Sequence, residues 1–138
     1  MIKLIDILKE SVYPFSKYDI LYDEDDNSLL VVEYTFDTKE NEYRVIFDSK
    51  EKKGEFSLSF GLDVGDFNKI DTFQITGEGD ARNILQTVAE IMNAFYKQYS
   101  KDIDKIIVSG TSEKRSRVYK AFLPKYLKPE VLAKTKIE

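Results

Sequence analysis

The chain has 138 residues, of which 42% are apolar, 13% aromatic and 33% charged, with a formal net charge of −4. This length suits one core, and the aromatic content excludes a disordered chain. Cysteine and histidine are both absent, which excludes disulfides, thiol nucleophiles, cysteine-ligated zinc or iron–sulfur centres, Ser-His-Asp triads and HExxH zinc sites.

Ile2, Ile5, Leu8 and Val12 recur at helical spacing and predict an N-terminal helix within residues 1–13, stopped by Pro14. Asp6, Lys9 and Glu10 interrupt the apolar run, so no signal-peptide core forms, and no segment approaches the roughly 20 apolar residues of a membrane span. A cytoplasmic protein without a membrane partner is expected. From 18 to 76 the apolar period falls to two, the pattern of an antiparallel meander with one face on helices. Its strands are 18–22, 29–38, 42–48 and 56–62, with a polar loop over 63–71 and a short extended piece over 72–76. Asp23-Glu-Asp-Asp-Asn27 begins like a calcium loop. Ser28 and Tyr34 stand where that loop needs glycine and glutamate, so a hairpin turn is expected.

Residues 80–127 read as helix, strand, helix. Asp80 is a suitable N-cap, and the broad apolar stripe from Ala81 to Tyr99 marks the main helix of the core. Lys105–Ser109 holds Ile106, Ile107 and Val108, a run that suits a strand buried on both faces, reached from 72–76 by a right-handed parallel step. Ser112 caps a last helix that Pro124 should end or kink. Residues 128–138 read as a tail or an edge strand. The fold class expected is α+β: one domain, with a mixed, mostly antiparallel sheet of about six strands packed by a long central helix and a C-terminal helix.

Three groups of residues are candidates for function. The turn Gln74-Ile-Thr-Gly77-Glu78-Gly79-Asp80-Ala81 lies between a strand and a long helix, where free amides and the helix dipole favour an anion and glycine admits close approach. Residues 113–138 carry 8 basic and 3 acidic side chains, against 13 and 22 in residues 1–112. Within that basic segment Lys114, Arg115, Arg117 and Lys120 are candidates for an anion or nucleic-acid contact, with Tyr119 and Tyr126 close by in sequence for stacking. Basic charge is sparse elsewhere, which disfavours wrapping a duplex. Glu33 and Glu42 are a possible carboxylate pair across neighbouring strands, with no acid–base role assigned. No residues are assigned to a metal.

The order of elements, with Gln74, Gly77 and Gly79 at the strand-to-helix junction, resembles the GCN5-related N-acetyltransferase family, whose signature is Gln/Arg-x-x-Gly-x-Gly/Ala. The resemblance implies an acetyltransferase-like fold over about residues 28–127. It also implies acetyl-coenzyme A as a possible cofactor, held by the amides of residues 77–81, and Tyr119 in Val118-Tyr-Lys-Ala-Phe-Leu-Pro124 as the acid that protonates the departing thiolate. The turn here is acidic apart from Arg82, and the Gly-Phe that follows the family's tyrosine is absent. The chain also resembles small uncharacterised proteins of tailed phages and prophages, through Gly77-Glu-Gly79-Asp80-Ala81 and Ser116-Arg-Val-Tyr119. The combined expectation is a phage-type accessory protein that binds a protein partner without catalysis, in the host cytoplasm. An acetyl-coenzyme A-dependent N-acetyltransferase is the alternative, and a nucleic-acid binder ranks third.

Overall fold

The computed structural model describes residues 12–38, 41–63, 70–71, 81–109 and 113–138. Alternating apolar side chains build four antiparallel strands, β1 (Phe15–Tyr22), β2 (Leu29–Asp37), β3 (Glu42–Asp48) and β4 (Glu55–Asp63). The register sets Val32 against Phe47, Tyr34 against Val45 and Phe36 against Tyr43, and then Val45 against Phe60 and Phe47 against Leu58. A one-residue slip would turn all of these side chains to water, so the pattern itself specifies the pairing. All of them are buried. Phe36, Tyr43 and Phe60 stack in a row at centroid spacings of 5.2 and 5.9 Å.

The long helix is α1 (Ala81–Tyr99). Its broad apolar stripe, Ile84, Leu85, Val88, Ile91, Met92 and Phe95, is buried against the sheet. Phe95 lies 3.9 Å from Phe47, ring to ring, and meets Phe56 edge-on at 5.2 Å. Full burial of rings of this size contributes about 1.5–3 kcal/mol each. Two further helices follow, α2 (Glu113–Tyr126) and α3 (Pro129–Lys134). Their buried residues Tyr119, Leu123, Leu127 and Val131 join the same core. All three helices therefore lie on one side of the sheet, and no described helix covers the other.

The class expected from the sequence, one α+β domain on a mixed sheet, is the class observed. Several details differ. The loop expected over 63–71 contains a short strand, β5 (Ile70–Asp71), paired with the end of β4. The strand β6 (Lys105–Val108) runs parallel to β4, with Glu55 opposite Lys105 and Leu58 opposite Val108. Its other edge is taken by β7 (Thr135–Ile137), also parallel. Among the described strands β6 therefore lies between two parallel neighbours, β4 and β7. Ile106 and Val108 are buried, but Ile107 is only half-buried, since the described helices lie on one face.

Helix α2 continues past Pro124 to Tyr126. In the last turn proline removes one ladder bond, while Leu123 and Leu127 stay inward and the Leu127 amide still donates to the Leu123 carbonyl. The tail expected over 128–138 contains α3 before its edge strand. Lys128 is extended and Pro129 opens the helix, where a missing N–H costs nothing. The expected N-terminal helix and the 72–76 segment lie outside the described residues, apart from Val12, which lies in a bend just before β1.

Candidate functional site

The face of the sheet that no described helix covers, called the uncovered face below, is built by the outward half of each alternating pattern. On β3, Tyr43 and Val45 point to the helices, so Arg44 and Ile46 point away. Arg44 stacks on the ring of Tyr18, 4.6 Å from its centroid, and sits 3.7 Å from the Glu33 carboxylate. That cover buries Glu33. Tyr18 reaches this position because the β1–β2 register shifts between Lys17 and Asp19. Four large apolar side chains are exposed among the described residues, and three are on β1: Tyr18 at 58%, Leu21 at 49% and Tyr22 at 44%.

Glu33 lies opposite Ile46, and Glu42 opposite Asp37, so the two glutamates do not face each other. Glu33 instead pairs with Arg44, while Glu42 Oε1 lies 3.2 Å from the Thr35 hydroxyl. Beside this cluster, at the β3–β4 end, runs an open groove of about 580 Å³ lined by Asp48, Lys50, Glu55, Ser57, Ser59 and Ile107 among others. The charges of both signs, the hydroxyls and the one apolar floor residue make it a polar contact surface. The aspartates of residues 23–26 serve their own turn. The Asp25 amide donates to Asp23 Oδ1 at 2.8 Å, the Ser28 amide to Asp26 Oδ1 at 3.0 Å, and Asn27 takes a left-handed φ of 60°. Among the described residues no group of three or more potential ligands is placed to hold a metal.

A second polar cluster lies on the helix side of β1 and β2. Lys17 and Tyr34 are register partners on the two strands. The Lys17 ammonium donates to the Tyr99 hydroxyl at 2.6 Å and lies 4.9 Å from the centre of that ring. Tyr34 is 4% exposed and its hydroxyl has no hydrogen-bond partner among the described residues. Burial first, and Tyr99 second, push that hydroxyl well above the usual tyrosine range.

The residues singled out from the sequence are scattered. Gln74, Gly77, Glu78, Gly79 and Asp80 lie outside the described residues, and so does the side chain of Ala81, whose backbone opens α1. Lys114 and Arg115 belong to α2, with side chains outside the described set. Arg117 and Lys120 are exposed on α2, and Arg117 pairs with Glu113 one turn back at 3.6 Å. Tyr119 is buried in the core. Tyr126 is half-buried, and its hydroxyl accepts from Arg82 Nε at 3.4 Å. Tyr119 is therefore no open stacking platform beside the basic side chains.

A model described as a family of unknown function, DUF6934, matches residues 16–137. The chain belongs to this family. The matched span runs from β1 to the end of β7, so the uncovered face and the parallel β4–β6–β7 edge are both parts of the DUF6934 unit. No curated protein and no solved structure matches the chain. In this DUF6934 chain no described helix is long and apolar enough to cross a membrane.

Two features of the unit escaped sequence reading, Tyr18 on Arg44 and the Lys17–Tyr34–Tyr99 cluster. The available signal was a lysine two residues after Phe15, in the inward phase of a strand. The register shift at Tyr18 hid it, because an extra residue reverses the alternation that would have placed both side chains.

Proposed function

We propose that the chain is a small binding protein of the phage accessory type, on an acetyltransferase-like scaffold, acting without catalysis in the host cytoplasm. On this reading a protein partner rests on the uncovered face of the sheet. The observation that carries it is the exposure of Tyr18 and Leu21 on one edge strand, beside the Arg44–Glu33 pair. Aromatic and aliphatic anchors rimmed by charge are what a protein contact needs. The burial of Tyr119 in the core supports a role in packing over one as an acid.

The test is capture of a partner from host lysate by the wild type, by Tyr18→Glu with Leu21→Glu, and by Arg117→Glu with Lys120→Glu. One defined partner retained by the wild type and the helix variant, and lost from the sheet-face variant, is expected. Capture that ignores the sheet-face change overturns the reading.

An acetyl-coenzyme A-dependent transferase is the second reading. It is supported by α1 opening at Ala81, immediately behind Gly77-Glu-Gly79. A ligand at a hundredfold excess over its Kd stabilises by about 2.7 kcal/mol, several degrees in Tm at this size. A flat Tm against millimolar acetyl-coenzyme A is expected, and a saturable rise would replace the binding reading with the enzymatic one.

A further inference from the structure

We propose that Lys17, Tyr34 and Tyr99 form a binding site for one small anion, a halide or a small carboxylate, at the joint of β1, β2 and the end of α1. Among the described residues, each of the three groups keeps a proton for which no acceptor is placed. Lys17 uses one of its N–H bonds on the Tyr99 hydroxyl, and no described carboxylate pairs with it. Tyr99, having accepted that bond, has its own O–H proton to offer. The Tyr34 hydroxyl is buried and has no partner among the described residues.

A buried hydroxyl without a partner is rare in a stable fold and needs a reason. A cation beside two phenols that lack acceptors is the chemistry that takes an anion, since each bond to it is charge-assisted. Lys17 and Tyr34 are brought together by register, and Tyr99 by the length of α1. Tyr34 is 4% and Tyr99 9% exposed, so the site excludes a bulky ligand, and a small anion would enter along the exposed Lys17 side chain. Phe15 and Phe47, both edge-on to Tyr34 at 6.2 and 6.0 Å, supply no oxygen or nitrogen acceptor for it. This site is separate from the uncovered sheet face and does not depend on the reading of that face.

The experiment melts the full chain in a zwitterionic buffer low in chloride, with sodium chloride and sodium acetate titrated in separate arms. The wild type, Tyr34→Phe and Lys17→Met are compared. A saturable rise of several degrees in the wild type, lost in both variants, is expected. Without added anion, Tyr34→Phe should melt above the wild type, because it deletes an unpaired buried hydroxyl. The arm that saturates first separates halide from carboxylate. An equal, unsaturating rise in all three proteins would reduce the effect to general salt and overturn the site. So would a Tyr34→Phe protein that melts below the wild type in the absence of anion, which would show the hydroxyl already satisfied by an internal water. Should Lys17→Met fail to fold, the near-isosteric Tyr34→Phe decides alone.

Discussion

Asn93 ties α1 to the junction of α2 and α3 through both ends of its amide. Nδ2 donates to the Tyr126 carbonyl at 3.1 Å, and Oδ1 accepts from the Lys128 amide at 3.0 Å. Asn93→Ala strands both groups, and a loss of about 1–3 kcal/mol in urea unfolding is expected. Asn93→Asp keeps the acceptor but sets a carboxylate against a carbonyl, which raises its pKa in the folded state. Its deficit should therefore shrink as pH falls toward the ordinary carboxylate range, where the protonated form donates again. Tyr34 gives a pH dependence of the same sign. Its hydroxyl is raised in the folded protein, chiefly by burial. The stability tied to it is complete below the unfolded value of roughly 10 and is lost as pH rises beyond that. Urea midpoints at pH 8 and pH 11 should show a steeper alkaline fall for the wild type than for Tyr34→Phe, and equal slopes would contradict the assignment.

At the scale of the element, β1 is an edge strand that carries its own guard. The Ile20 amide donates to the Asp19 carboxylate at 2.8 Å, so a side chain occupies a donor that another strand would seek. The register shift at Tyr18 adds a local irregularity. Both are devices that keep sheet edges from pairing with other chains. Asp19→Val removes the guard and raises strand propensity. Concentration-dependent association by sedimentation is expected, with stability changed by no more than about 0.5 kcal/mol, and a monomer at every concentration would refute the guarding role. The β3–β4 turn shows a different economy. Gly54 adopts a φ of +82°, and its carbonyl accepts from the amides of Asp104 and Lys105 at 2.8 and 3.1 Å. That left-handed residue is what lets the turn hold the start of β6 beside β4. A side chain there would run into the Asp104 carboxylate.

For the whole molecule, the last strand closes the parallel edge. β7 pairs with β6 through Thr135, Lys136 and Ile137, and the Glu138 amide donates to the Val108 carbonyl at 2.9 Å. The Glu138 carbonyl also accepts from the Ser116 hydroxyl, which links the strand to α2. Deleting residues 135–138 uncovers the edge of β6 and withdraws Ile137 from the core. A loss of about 2–3 kcal/mol is expected in thermal unfolding, and an unchanged Tm would show the strand to be ornamental. Much of this architecture was already legible in residue order. Period-two runs such as Phe56, Leu58 and Phe60 named the meander, and the stripe from Ile84 to Phe95 named its helix, because burial on one face writes its own period into a chain. Short elements were not legible: β5 has two residues and α3 six, too few for any period to show. Pro124 misled because its cost depends on which helical turn it occupies. The sequence by itself determined the composition limits, the alternating strands and the amphipathic helix, all set by interactions between residues close in the chain. Only the tertiary structure decided that β6 lies between β4 and β7, that Glu33 takes Arg44, and that Lys17 meets Tyr99. Those contacts join residues 11 to 82 positions apart, and no local preference encodes which distant partner closes the sheet.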